Sequence, residues 1–563
     1  MGHRLDRIMY ETSVVYIGLP VFIFFAGWLR PLAAVPVCAV FLISIFMMLK
    51  NRPEPLELHI SRRQWGTVLI SLLLLALWVF LSGQGGFAFQ NSDFHYRNAI
   101  FHDLIEKSWP VIYHYRAGGS IAAASETSVL TYYIAYWLPG AVVGKLFGWY
   151  AANTFQYFWT LLGLALVTYY LFRTLRRVSV RSVLILIFFS GLDLAGYLLL
   201  SKGVFPGLTD HIEWWSGLQY SSNTTLLFWV FNQTVTIWLA ILLILNLKNS
   251  RSLFFLYAML LLHGPFPFLG MLPIVLWKAW QGYPLSGCLK TGKGILRIKG
   301  FIFWFWNGVR RALTFENLAG GISVLLIIYL YLRNNVSGGT AGMNTWSSKT
   351  TLLVILEGGI YLLLLFFNHH RSPLYWICLA SILIIPLFKV GSSQDFCMRV
   401  SIPALFMIQI LVQKTLLGRE EPDSSSVNNA VRASGRPRAP AANQRGASGL
   451  SDLTGAERRM IKGILVVLLV IGAAVPVQEI SRSVAYTLPS YRVTRSAMVS
   501  AGKALADADN SAIADIGKSL LTQSNYGLTW ADSIQTLEAD KTTSANFIGP
   551  TEDNFFYTYL ARQ

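Results

Sequence analysis

Apolar residues in this chain gather into runs of about 17–25, the length a helix needs to cross a hydrocarbon core of about 30 Å. The runs lie at 13–29, 31–49, 67–84, 153–172, 182–200, 223–247, 266–281, 317–333, 350–367, 374–390, 398–417 and 461–477, with a shorter one at 251–263. They lack period-two alternation, so a closed β-barrel, the other backbone that satisfies itself in lipid, is excluded. The pattern predicts an all-α polytopic membrane protein with about 13 transmembrane helices. The runs 251–263 and 266–281 are divided by Gly264, Pro265 and Pro267, which predicts a tight hairpin reaching only partway across. Residues 132–148 are apolar enough to span, yet a crossing there would move Arg173, Arg176, Arg177 and Arg181 to the opposite face. They read instead as an interfacial or re-entrant helix, with Tyr132, Tyr133, Tyr136 and Trp137 at head-group level.

Charge sets the orientation. The chain has 46 Lys and Arg against 28 Asp and Glu, a net +18. In a multi-pass protein such an excess collects in cytoplasmic connections, and the sequence has no nucleic-acid-binding motif, so the basic balance implies a bilayer and no nucleic acid. With the N-terminus cytoplasmic, Lys50, Arg52, Arg62, Arg63, the Arg173–Arg181 group and the cations of 282–316 all fall inside. The outer face then receives loop 85–152, loop 201–222, loop 334–349, loop 391–398 and the tail after 477, as in a multi-pass protein of the cell (inner) membrane.

The expected organisation is a two-span hairpin and cytoplasmic loop (1–66), a main transmembrane module (67–417), a linker (418–460), a last span (461–477) and a small outer C-terminal domain (478–563). The linker, rich in Pro, Gly, Ser and Arg, is predicted to be disordered. Aromatics at the end of the tail are expected to pack on the membrane domain. No internal repeat is visible, which weighs against a transporter built from inverted halves. Cys38, Cys288, Cys378 and Cys397 are scattered and read as small apolar residues, forming neither a metal pattern nor a disulfide framework.

The main concentration of chemistry follows the run 67–84, where Asp93, His95, Tyr96 and Arg97 cluster as the chain leaves the membrane. Two readings of Asp93 stand. Ser92 and Asp93 are suited to cap a helix starting near Phe94, and a carboxylate at the interface is equally suited to act as a base. The helix to Lys107 is amphipathic, with Ile100, Phe101, Leu104 and Ile105 on one face and Asn98, His102 and Glu106 on the other, and is expected to lie flat on the outer leaflet. Outer-face cations are few: Arg97, Arg116, Lys202 and Arg399 are the candidates for an anionic ligand. Arg399 has Asp395 four residues before it, so an intrahelical pair competes with ligand binding. Loop 201–222 carries Asp210, His211, Glu213 and Trp214. One His and two carboxylates fall short of a metal set, leaving a sugar contact on Trp214 or an interfacial aromatic anchor. Asp193 and Glu357 sit at membrane depth, where ionisable groups face a cavity or a partner. His263 reads as satisfying the helix break.

An acid early in a long outer loop (Asp93), a flat amphipathic helix, Trp109-Pro110 and the aromatic segment 132–148 together resemble the GT-C glycosyltransferases. These polyprenyl-phosphate-sugar enzymes include protein mannosyltransferases, the lipid A aminoarabinose transferase and oligosaccharyltransferases. The resemblance covers 67–417 in topology and 91–110 in motif. It implies transfer of a sugar from a polyprenyl-phosphate donor to a glycan, lipid or protein acceptor on the extracytoplasmic face. Asp93 is then the base or acceptor-orienting residue, with His95 and Tyr96 placing it and the outer arginines holding the donor phosphate. The chain departs from many relatives by having Asp93-Phe94-His95 where they have paired acids, which leaves the use of a divalent metal open, and by its added N-terminal hairpin. The rival readings are a transporter or flippase of lipid-linked saccharides working through Asp193 and Glu357, and a glycan polymerase or ligase.

Overall fold

A computed structural model describes residues 2–50, 60–114, 127–247, 250–281, 302, 305–306, 308–335, 341–390, 395–418, 454–506, 533–535, 545–552 and 554–562. Arg116, Cys288 and almost all of the linker 418–460 lie outside the described residues. Among those described, eight helices are long and apolar enough to cross a membrane: Arg4–Trp28, Pro31–Lys50, Gln64–Leu81, Leu138–Leu175, Val180–Leu200, Ser348–His369, Asp395–Leu417 and Gly455–Leu488. Shorter apolar helices pack among them at Phe231–Asn246, Leu253–Leu262, Glu316–Leu332 and Pro373–Leu387.

Several apolar runs are bent or broken, and the breaks matter because they free backbone and turn side chains inward. Most of the segment 132–148 joins the run 153–172 in one helix, Leu138–Leu175, interrupted at Gly148, whose φ of +83° suits only a residue without Cβ. The run at 182–200 divides into Val180–Phe188 and Asp193–Leu200, and the run at 223–247 into Asn223–Trp229 and Phe231–Asn246. Gly264 separates the helical pieces 253–262 and 265–280, and His263 there meets the Ile17 carbonyl of the N-terminal helix at 3.0 Å through Nε2, so it bridges to another helix instead of satisfying its own break. Polar side chains bridge the buried helices: Asn223 donates to Gln409 Oε1 at 2.9 Å, and Ser182 to Gln413 Oε1 at 2.5 Å. Such bonds hold helices together where the lipid supplies no hydrophobic drive.

The helix Phe94–Glu106 forms where the amphipathic pattern places it, but it does not lie bare on a surface. Asn98, from its expected polar side, is buried, and so is Asp103. Asp103 accepts from the Tyr113 hydroxyl at 2.8 Å and from the backbone N–H of Ile534 at 2.9 Å, so the C-terminal tail covers Asp103. The same tail adds Ile548–Pro550 as the third strand of a sheet with Ile112–His114 and Thr127–Leu130, in the order 112–114, 127–130, 548–550. A second, two-stranded sheet pairs Ala341–Met343 with Phe388–Val390. Phe556 is fully buried against Phe24 and Tyr331, and Ala561 bridges to Leu29. Tyr133, Tyr136 and Trp137 are buried within the protein, Tyr136 and Trp137 against Phe231. Cys38, Cys378 and Cys397 are free thiols.

Candidate functional site

Two Asp–Arg pairs, each spaced four residues along a helix, are brought to the same place. Asp93 Oδ2 accepts from Arg97 Nη2 at 2.8 Å, and Asp395 Oδ2 from Arg399 Nη2 at 2.6 Å. In both pairs the carboxylate is open and the guanidinium is covered: the side chains of Asp93 and Asp395 are 47% and 45% exposed, those of Arg97 and Arg399 9% and 14%.

Local sequence explains the first pair. Asn91 Oδ1 accepts the Asp93 N–H at 3.1 Å while Asn91 Nδ2 donates to the Phe228 carbonyl at 2.9 Å, so Asn91 pins the turn that starts the helix. Asp93 makes no capping hydrogen bond, and its carboxylate is left for Arg97. Arg97 also donates to Asn232 Oδ1 at 3.3 Å and stands 5.0 Å over the Phe231 ring. A guanidinium so placed gains from the ring quadrupole. Both partners follow directly from the helix break at Val230.

Tyrosines join the pairs. Arg399 Nη1 donates to the Tyr133 hydroxyl, which is itself hydrogen-bonded by the Tyr132 hydroxyl. Burial, then Tyr133, holds the Tyr132 phenol well above its ordinary range, and both Arg399 and Arg97 act against that rise. Tyr132 therefore lies in the field of both guanidinium groups. Asp93 likewise lies within electrostatic reach of Arg399 and of His211. Arg399 Nε has no hydrogen-bond partner among the described residues. The result is a patch with open carboxylates in front, buried cations behind and phenols between.

Tyr96 closes one side, stacking on Phe547 of the tail at 5.7 Å, and Phe547 meets Tyr132 edge-on at 4.9 Å. His95 is exposed and edge-on to Tyr96 at 5.6 Å. The loop 201–222 forms another side, held by Arg482, which donates to the carbonyls of Leu208 at 2.7 Å and Asp210 at 2.6 Å and pairs with Glu479 at 2.6 Å. His211 stacks on Trp214 at 3.9 Å. Burial, followed by Arg482, holds its imidazole below the ordinary value, while Asp93 and Asp210 oppose this. Trp214 presents 59% of its surface to solvent.

Other residues expected at the site have different places. Glu213 is buried and accepts from the Ser222 N–H at 2.8 Å, Thr225 Oγ1 at 2.7 Å and Gln219 Nε2 at 2.6 Å, so it ties the loop to the helix Asn223–Trp229. Burial, reinforced by Asp193, pushes its carboxyl up to about 8. Asp210 closes a turn by accepting the Gly207 N–H at 2.7 Å. Lys202 is exposed in a left-handed turn with φ +54°, and among the described residues no hydrogen bond or ion pair joins it to the two pairs. Asp193 and Glu357 are buried beside one another, and Asp193 accepts from Trp215 Nε1 at 3.1 Å and Ser190 Oγ at 3.3 Å. Gly191 lies so close to Glu357 that a Cβ there would collide with its carboxylate. Among the described residues, no group of three or more His, Cys, Asp and Glu is placed to hold a metal ion.

Tyr132, Tyr133, Asn232, Phe231 and Phe547 are the site residues that sequence reasoning passes over. The tyrosines carry the signal of an interfacial belt, and the others carry none. Fold and site together define a multi-pass α-helical membrane protein with a charged, aromatic site at one end of its bundle. No protein-family model matches the chain, and neither the curated proteins nor the solved structures contain a match.

Proposed function

We propose that the protein is an inverting membrane glycosyltransferase of GT-C-like architecture with about 13 spans. It moves a sugar from a polyprenyl-phosphate donor to a glycan, lipid or protein acceptor on the extracytoplasmic face. The observation that carries this reading is the half-open Asp93 carboxylate beside two covered guanidinium groups. The carboxylate takes the proton of an acceptor hydroxyl, whose oxygen attacks the anomeric carbon. The bond from that carbon to the phosphate oxygen breaks, and the phosphate leaves with the electron pair. Arg399 and Arg97 stabilise the charge gathering on it, so no general acid is required. His95 and Tyr96 border the base, and Trp214 offers a stacking face for the sugar. The polyprenyl tail lies between spans near the hairpin 251–281.

The buried pair Asp193–Glu357 supports a second reading, a proton-coupled carrier of lipid-linked saccharides. Transfer of label from radiolabelled polyprenyl-phosphate sugars by the purified protein in bilayers, with crude acceptor membranes, separates the two. A transferase loses transfer in Asp93→Asn and keeps it in Asp193→Asn, whereas a carrier depends on Asp193 and tolerates Asp93→Asn. A polymerase or ligase consumes a pyrophosphate-linked oligosaccharide instead.

A further inference from the structure

We propose that a second pocket, separate from the two Asp–Arg pairs, binds the phosphate head group of an anionic phospholipid. The pocket has a volume of about 350 Å³, and its lining includes Gly27, Ser108, Trp109, Ile112, Lys145 and Arg562. That size suits a small ligand or head group.

Its cations are prearranged. The Lys145 ammonium donates to the carbonyls of Ile105 at 3.0 Å and Lys107 at 2.6 Å and stands 5.1 Å over the Trp109 ring. Two of its three protons are therefore used, and the third is left for a ligand. Arg562 is exposed, with its backbone N–H tied to the Trp28 carbonyl at 2.7 Å. Among the described residues neither cation forms an ion pair, and Glu106 influences Lys145 without bonding to it. Nearby, Arg30 donates to the carbonyls of Thr558 at 2.8 Å and Ala561 at 3.3 Å, adding positive charge behind Arg562.

The surroundings fit a lipid better than a free anion. Leu146 and Phe147, directly after Lys145, are 70% and 73% exposed, and Leu32, near Arg30, is 88% exposed. On a membrane protein such side chains face acyl tails. Trp109 lines the pocket, backed by the buried Trp28 ring 5.1 Å away, and tryptophan favours head-group depth. A phosphate between Lys145 and Arg562 sets its acyl chains along Leu146 and Phe147. Two cations that no carboxylate pairs with among the described residues select a net negative head over a zwitterionic one.

Native mass spectrometry of the full-length protein in detergent tests this. The protein is titrated with dioleoylphosphatidylglycerol, dioleoylphosphatidylcholine or inorganic phosphate. Wild type is expected to take up one phosphatidylglycerol ahead of phosphatidylcholine, undisturbed by inorganic phosphate. Lys145→Met and Arg562→Gln should each weaken that adduct about fivefold, the loss expected for one cation at an anionic head group. Lys145→Arg, which keeps the charge, should retain it, and Lys202→Gln serves as a control for an exposed cation elsewhere. Equal phosphatidylglycerol binding in wild type and the double variant overturns the proposal. So does equal uptake of both lipids, or loss of the adduct in Lys145→Arg with a wild-type melting curve. Displacement by inorganic phosphate overturns the lipid assignment and makes the pocket a site for soluble phosphate.

Discussion

Replacing Asp93 by Asn separates a base from a structural acid, because the two roles predict different losses. The Asp93 side chain is 47% exposed, and an ion pair so open to water contributes only about 0–1 kcal/mol after solvent screening. Asn keeps an oxygen to accept from Arg97. The guanidinium also retains Asn232 Oδ1 at 3.3 Å and the Phe231 ring at 5.0 Å, so it is not stranded. The substitution should therefore cost less than about 1 kcal/mol and move the melting temperature by no more than about 4 °C. A general base, by contrast, accounts for about 10²–10⁴ in rate. The assay is initial-rate sugar transfer on protein whose melting curve is recorded from the same preparation. Wild-type stability with transfer down by two orders of magnitude or more is the expected result. Unchanged transfer refutes the base assignment, and a large fall in melting temperature refutes the estimate that the pair is energetically minor.

Glu213 makes stability depend on pH. Its carboxyl is held up at about 8 against an ordinary 4.5, so the folded state keeps a proton that the unfolded chain releases. That contribution is complete below about pH 4.5 and is lost as pH rises through about 8, so the melting temperature should fall across this window and Glu213→Gln should flatten the slope; an unaltered slope removes Glu213 as the source. Phe556→Ala empties a fully buried site against Phe24 and Tyr331 and should cost about 3–5 kcal/mol, with proteolysis reaching 545–562 first. A cost below about 1 kcal/mol would mean that this ring does not anchor the tail. Trp214→Ala, at a side chain 59% exposed, should leave stability within about 0.5 kcal/mol. If the ring stacks on the sugar, KM rises about 2–10-fold with kcat unchanged, and an unchanged KM removes that contact.

Much of the membrane domain can be read from apolar run length alone, since 31–49 and 398–417 become the helices Pro31–Lys50 and Asp395–Leu417. The breaks within runs are less visible. Val230 lies among good span residues, and its departure from helix depends on neighbours elsewhere in the chain. The two Asp–Arg pairs are legible because a spacing of four on a helix is a local fact. Their meeting is not: Tyr133 and Arg399 are 266 residues apart, and no periodicity encodes that contact. The partners of Glu213 are hidden for the same reason. A carboxylate next to a histidine and a tryptophan looks like a ligand, while the donors that satisfy it, on Gln219, Ser222 and Thr225, lie six to twelve residues further on.

The strand Ile548–Pro550 and the ring of Phe547 have a consequence for assembly in the cell. Both belong to a segment synthesised after the helix Gly455–Gly472, yet they complete a sheet and a wall begun near residue 96. A ribosome that has delivered every earlier helix has not yet delivered this strand and ring. The carboxylates and arginines are already made by then, but the Phe547 ring that borders Tyr96 and Tyr132 is still to come. Maturation of the site is thereby tied to late docking of a peripheral strand, so a chain stalled after its last crossing would be inserted, helical and incomplete.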